Sequence, residues 1–305
     1  MNLTRLFNLQ GMLLLLMLLG ALLRKRNLIN REGEAVIGDL VICVFLPCSI
    51  FQSFQSDLTP EVLLGAVQVF LITLGIILLC VLLNCFLYRK EPEAREKVLQ
   101  YGTLFSNSGI LGNAVAESVF GAEGLFYASI YMIPLRAVMW SYGLTFFTKA
   151  PDARTLVRKV CTHPCIIAVF LGLLSLLSGI RLPGFLSETV ASLGRANTPV
   201  SMIFVGTILA SVRKEHFQEK TVWYYLFIRL LLIPAIVLSV MKLPRADELI
   251  TGVCVLLSAM PMAATSAVMA AKYECDAVLA TECIVLSTLL SMVTLPLWCM
   301  LMMAL

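Results

Sequence analysis

Charge is scarce in this chain. Asp, Glu, Lys and Arg make up 14% of its 305 residues, where a soluble domain carries about 25%. Histidine is scarcer still, with only His163 and His216. Both fall in loops or at the edges of apolar runs, so no HExxH or Ser/His constellation of a membrane-embedded enzyme can be assembled. Long polar stretches are missing too. That leaves no room for a soluble catalytic domain or a nucleotide-binding module. The net charge of +4 therefore reads as loop charge beside a membrane and not as a nucleic-acid footprint. Ten cysteines are scattered, most of them in apolar runs where a thiol acts as a small hydrophobe. Cys161, His163 and Cys165 stand close together, but their spacing is not that of a zinc site and no second pair faces them. No metal and no other cofactor is expected.

What is present is apolar: 59% of residues are hydrophobic and the mean hydropathy is +0.91. A membrane-spanning helix needs about 20 apolar residues. Ten segments fit: 9–23, 36–54, 62–88, 98–120, 125–147, 164–180, 186–212, 222–241, 249–271 and 277–303. The first is short enough for a signal peptide, but Arg24, Lys25 and Arg26 follow the apolar run instead of preceding it. A basic linker, 149–162, separates two halves of five spans, residues 1–148 and 163–305. Each half has a second span with proline and hydroxyl residues: Pro47 with Ser49, then Thr198 with Pro199 and Ser201. An odd number of spans per half inserts the second half upside down, the inverted-repeat plan of many secondary carriers. Sixteen Lys and Arg residues fall at 24–31, 89–97, 149–159, 213–220 and 272, against four at Arg5, Arg181, Lys242 and Arg245. The richer side is cytoplasmic, which puts both termini outside.

Two spans are poor membrane helices. Span four holds Ser106, Asn107, Ser108, Gly109, Gly112 and Asn113 in its middle. Span nine is interrupted by Pro261 and by Ala263, Ala264, Thr265 and Ser266. Lipid offers no partner for a freed backbone group, so such segments survive only inside protein or beside a watery cavity. A small-residue packing interface would also use Gly and Ser. Their matching places in the two halves favour a solute site built from paired broken helices.

Three arginines remain within spans: Arg136, Arg195 and Arg229. Burying one costs about 2.5–3.5 kcal/mol even on a lenient scale. A guanidinium grips a carboxylate with two parallel hydrogen bonds. Arg136, beside Pro134, and Arg195, beside Asn197, Thr198 and Pro199, are the candidates for an organic anion; the alternative is structural pairing with Glu117, Glu188 or Glu282. Arg229 is nearer a span end, where snorkelling to the interface is expected. Glu117 and Glu282 are candidate proton or ion carriers.

These residues resemble the auxin efflux carrier family in its short bacterial form. The resemblance covers nearly the whole chain. It is carried by FSNSGILGNAV (105–115) and VFGAEGLFYASIY (119–131), then by SAMPMAATSAVMAAKYECD (258–276) and STLLSMVTLPLW (287–298). Phe105, Asn107, Gly109 and Gly112 match the family pattern, as does Pro261; Ala114 stands where the family has proline. The resemblance implies an all-α fold of ten transmembrane helices in two inverted repeats, similar to sodium/proton antiporters, with spans four and nine broken and crossing. It implies a scaffold of spans 1, 2, 6 and 7, often dimeric, and a moving unit of spans 3–5 and 8–10. Substrates would be small organic anions such as malate, malonate or indole-acetate, with proton or sodium as driving ion. The expected substrate-binding residues are Ser49, Asn107, Gly112, Asn113, Arg136, Arg195, Thr198, Thr265 and Ser266. Gly109, Gly112 and Pro261 are expected to break the helices. The membrane would be the bacterial inner one. The competing reading is a cation-coupled antiporter using Glu117 or Glu282.

Overall fold

The computed structural model describes residues 3–55, 60–147, 153–179, 182–210, 219–242, 247–263 and 265–304. Lys149, Arg181, Arg213, Lys214, His216, Arg245 and Ala264, named above, lie outside them. The described residues are helical, with no strand beyond one isolated bridge.

The first half runs α1 (Leu3–Lys25), α2 (Arg31–Leu40), a π turn (Val41–Phe45), α3 (Leu46–Ser53), α4 (Pro60–Leu87), α5 (Glu93–Leu104), a second π turn (Ser108–Gly112), α6 (Asn113–Trp140) and α7 (Tyr142–Thr145). The second half runs α8 (Ala153–Cys161), α9 (Pro164–Ser178), α10 (Gly184–Leu209), α11 (Lys220–Phe227), a third π turn (Ile228–Leu232), α12 (Ile233–Lys242), α13 (Glu248–Ser258), α14 (Thr265–Lys272) and α15 (Ala277–Ala304). Five stretches are long and apolar enough to cross a membrane: Glu32–Ser53, Val62–Leu87, Ser108–Thr145, Lys220–Lys242 and Ala277–Met302. Pro164–Leu176 and Glu248–Ser258 are shorter apolar helices. Exposed Leu, Val and Phe side chains cover the outside, among them Leu15, Leu64, Leu78, Phe86, Phe170 and Val293, an outer surface suited to acyl chains and not to water.

Local chemistry sets the helix ends. Asn30 caps α2 by accepting from Gly33 N at 2.8 Å, and Asp247 caps α13 by accepting from Leu249 N at 2.8 Å. His163 Nδ1 accepts from Cys165 N at the start of α9. Gly179, at φ 68°, stops α9 in the left-handed region open to glycine. Prolines explain two of the π turns. Pro234 has no N–H to donate and its ring crowds the preceding turn; the wide turn at Ile228–Leu232 makes room. The Leu230 carbonyl then accepts from Trp298 Nε1 of α15 at 2.9 Å. Pro47 stands after the first π turn in the same way. Within α6, Gly121 adopts φ 73° and turns the chain between two helical stretches.

Two sets of helices pack most densely among themselves. In one, α1 lies on α10, α10 on α3, and α3 on α9; in the other, α4, α5, α6 and α11–α15 surround one another. The α1–α10 contact is glycine-made: Gly20 faces the Ile203 carbonyl and Gly206 the Met17 carbonyl, with no space for a Cβ at either. Gly206→Ala should therefore force α10 off α1 and destabilise the protein by about 1–3 kcal/mol, read as a lower midpoint in thermal unfolding of the detergent-solubilised chain.

Candidate functional site

The two interrupted segments meet. After α5 ends at Leu104, Phe105 is extended and Asn107 has left the helical region (φ −76°, ψ 37°). After α13 ends at Ser258, the chain runs non-helically through Met260 to Ala263. Ser106 and Met262 form an antiparallel bridge. Asn107 N donates to Pro261 O at 2.8 Å, and Ala263 N donates to Phe105 O at 3.3 Å. Each break supplies the partners that the other lost.

Several other freed groups are also met. Met262 N donates to Ser287 Oγ at 3.1 Å, and Ser108 Oγ to Leu257 O at 3.1 Å. The Tyr225 hydroxyl donates to Gly102 O at 2.9 Å. Arg229, expected to snorkel, is 2% exposed. Its Nε donates to Met260 O at 3.0 Å and its Nη1 to Thr103 O at 3.3 Å. One guanidinium thus joins the C-terminal ends of α5 and α13, where carbonyls and the helix dipole concentrate negative partial charge. The π turn and Pro234 place Arg229 towards the crossing, which its sequence position near a span end hides. A run of carbonyl-ended half-helices with one buried arginine nearby is the signal that would have revealed it.

The glycines act differently from their expected role. Gly109 and Gly112 lie inside the second π turn, and Gly112 has helical dihedrals. The break comes earlier, at Phe105–Asn107, because it is set by the bridge to span nine. The glycines instead give closeness: a Cβ on Gly112 would stand 2.7 Å from Leu257 Cδ2, and one on Gly109 would stand 2.9 Å from Arg136 Nη2. Pro261 does sit in its break.

Arg136 on α6 therefore reaches Gly109 at the start of the second half-helix. Its other charged or polar neighbours are Tyr101 on α5 and His163 and Cys165 at the start of α9. Among the described residues no carboxylate forms an ion pair with it, and its Nε is buried without a hydrogen-bond partner. Asn113 is 1% exposed; its Nδ2 donates to Gly109 O at 3.1 Å while its Oδ1 has no partner. Ser266 is buried with an unpartnered Oγ, and exposed Thr265 lies beside the Tyr101 hydroxyl. The Asn107 side chain caps nothing. Neither Ser108–Gly112 nor α14 has an acidic residue in its first turn. So the helix that begins at Ser108, with the positive partial charge of its N-terminus, starts beside an arginine that has no ion-pair partner among the described residues, and Tyr101 links that arginine to Thr265 at the start of α14.

Other candidates lie elsewhere. Arg195 is exposed and its Nη2 donates to Ser192 Oγ; a helix turns about 100° per residue, so Arg195 and the fully buried Asn197 face opposite ways. Ser49 and Thr198 contact Glu117 and not Arg136. Glu282 sits among Glu219, Asp276 and Arg95, and Arg95 pairs with Glu219, with Asp276 at 3.4 Å and with Glu91 at 3.7 Å. That group ties α5, α11 and α15 together at the loop-facing end. Glu188 is exposed.

An all-helical chain with several apolar spans, whose broken helices meet around polar and cationic groups, is an integral membrane protein built as a transporter is built. The family model for membrane transport proteins, the auxin efflux carrier family, matches residues 12–299, and the chain belongs to that family. It is 28% identical over 287 residues to an uncharacterized transporter of Methanothermobacter thermautotrophicus, covering 93% of this chain and 94% of the other. It is 24% identical to the uncharacterized transporter YfdV of Escherichia coli K12, with 94% of each covered. A putative malonate transporter of Rhizobium meliloti is 23% identical over 88% of this chain and 87% of its own.

The Arg229 bridge carries a stability expectation. Arg229→Met leaves two buried carbonyls without donors and should cost about 2–4 kcal/mol. Arg229→Lys, which can reach one carbonyl, should recover part of it in the same unfolding measurement.

Proposed function

We propose that the protein is a secondary carrier of small organic anions, with the anion bound at the crossing and its carboxylate paired to Arg136. One observation carries this: an arginine within a span, beside the start of the Ser108 helix, with a buried Nε that no described residue satisfies. A cation left unpaired at such depth is expensive, and a carboxylate ligand would supply the missing acceptors. Asn113, Ser266 and Thr265, with the N-terminal backbone amides, would hold the rest of the solute. The relative named as a putative malonate transporter makes short dicarboxylates the first class to try.

In this reading the chain spans the inner membrane ten times as two inverted five-helix repeats, with both termini outside. The α1–α3, α9 and α10 set serves as scaffold and the remaining helices move against it, presenting the crossing to each side in turn. The cation-antiporter alternative needs acids at the crossing; the first turns there contain none.

The test is thermal stabilisation of the purified protein by a panel of mono- and dicarboxylates. A ligand that binds the folded state adds RT ln(1 + [L]/Kd), so about 100 Kd of ligand adds roughly 2.7 kcal/mol. Malonate or malate should raise the melting point of the wild type and leave Arg136→Ala unmoved. Stabilisation by sodium or pH alone, with no response to any organic anion, would sink the carrier reading. Gly109→Ala provides a finer check. Its new methyl displaces only the mobile end of Arg136, so ligand-free stability should hold while the concentration needed for stabilisation rises severalfold.

A further inference from the structure

Glu117 lies on α6, one turn beyond Asn113, where α6 meets the other set of helices. Ser49 Oγ of α3 donates to its Oε1 at 2.9 Å, and Thr198 Oγ1 of α10 lies 3.4 Å from its Oε2. The Asn197 amide faces the same carboxylate, and its Nδ2 is buried with no partner at hydrogen-bond distance. Ser49 is 2% exposed and Asn197 0%. These donors form one rigid receptor, because Gly194 brings α10 against the backbone of α3: a Cβ there would stand 3.1 Å from Ser49 Cα.

Among the described residues no cation attends this carboxylate. The groups that face it are two hydroxyls and an amide. On α10 the nearest charged side chain is Arg195, which is exposed and bonded to Ser192. On α3 the titratable neighbour is Cys48, and on α9 it is Cys165, whose charged neighbour is Arg136. The Cys80 thiol of α4 has Arg229 as its electrostatic neighbour, and the Cys254 thiol of α13 has none. On α6 itself, Glu123 is the electrostatic neighbour of Tyr127. Thus an acid in a membrane-embedded seam is held only by neutral donors, all from one side.

We propose that Glu117 is a proton-binding site that couples proton movement to the sliding of α6 along α3 and α10. Ionised, the carboxylate is anchored by the donors of α3 and α10 and cannot leave them without dragging a bare charge through an apolar seam. Protonated, it is neutral, keeps one donor and its acceptor capacity, and can let go. The proton is taken from the water on one side and returned on the other; no bond other than O–H forms or breaks. The Ser49 hydroxyl already satisfies Oε1 without an ion, and sodium is the competing outcome of the test. The inference rests on the carrier reading for its direction of use and on the seam geometry for the site itself.

The experiment uses the full chain in proteoliposomes, with radiolabelled malonate as probe and a trapped pH dye. Wild type should show malonate uptake driven by a proton gradient, with proton influx in step. Glu117→Gln, which mimics the protonated form, should keep malonate exchange while gradient-driven uptake and proton influx fall to background. Ser49→Ala removes a donor to the ionised form and should move the pH profile of uptake upward. Proton influx retained in Glu117→Gln, or a sodium gradient that replaces the proton gradient, overturns the proposal. If wild type moves no malonate, it is the malonate-carrier reading that fails. The site is then decided by infrared difference spectra across pH: a protonated-carboxyl band present in wild type and lost in Glu117→Gln sustains it, and the lack of any such band refutes it.

Discussion

Every feature of the crossing depends on one constraint: a backbone group freed inside an apolar medium must find a partner in the protein. Two helices stop mid-course at Leu104 and Ser258, and each stop frees carbonyls behind it and amides ahead. The Ser106–Met262 bridge is the economical answer, since two breaks placed face to face exchange their loose N–H and C=O groups. Five further groups are taken up by Ser108, Tyr225, Ser287 and Arg229. Satisfaction of the backbone fixes the relative placement of α5, α11, α13 and α15, and so the shape of the site.

The same constraint separates Arg229 from Arg136. Arg229 faces helix C-terminal ends and spends its donors on their carbonyls; its positive charge is offset by partial charges that the fold itself supplies. Arg136 faces the start of the Ser108 helix, where the partial charge has its own sign. Nothing in the described chain offsets it, and Gly109 brings the π turn to its guanidinium instead of a carboxylate. Two cations of one kind therefore differ in their partners, and among the described residues only the second has no acceptor for its Nε.

Much of this was legible in the residues. Of the ten segments read from apolar length, the described residues form five stretches long and apolar enough to cross a membrane and two shorter apolar helices, and both interruptions fall within the segments whose composition marks them. The exact break in span four did not follow: glycine marks it in the sequence, yet Phe105–Asn107 carries it, because the bridge partner lies more than 150 residues away along the chain. Arg195 and Arg229 were misjudged for related reasons. Adjacency to Asn197 and Thr198 suggested a shared site for Arg195, although helical rotation puts Gly194, Asn197, Thr198 and Ser201 on one face and Arg195 on another. Closeness to a span end suggested an interfacial Arg229, although a proline-induced π turn redirects it. Local pattern reads local structure, whereas the partners of a buried polar group come from elsewhere in the chain.

Charge balance links the crossing to the seam. A unit that slides through lipid-like surroundings cannot carry uncompensated charge at its sliding surface, since each bare ion costs several kcal/mol even after relaxation. Arg136 with a bound carboxylate is neutral as a pair. Among the described residues Glu117 has no such partner, because its neighbours are hydroxyls and an amide fixed to α3 and α10. In the proposed carrier, neutrality at the seam would then come from a proton. Arg136 and Glu117 lie on the same helix, α6, on either side of the Gly121 turn, so in the carrier proposed above motion of that helix would displace both together. In that reading, an arginine paired by an anion and a carboxylate neutralised by a proton are the two charges to be cancelled before α6 moves.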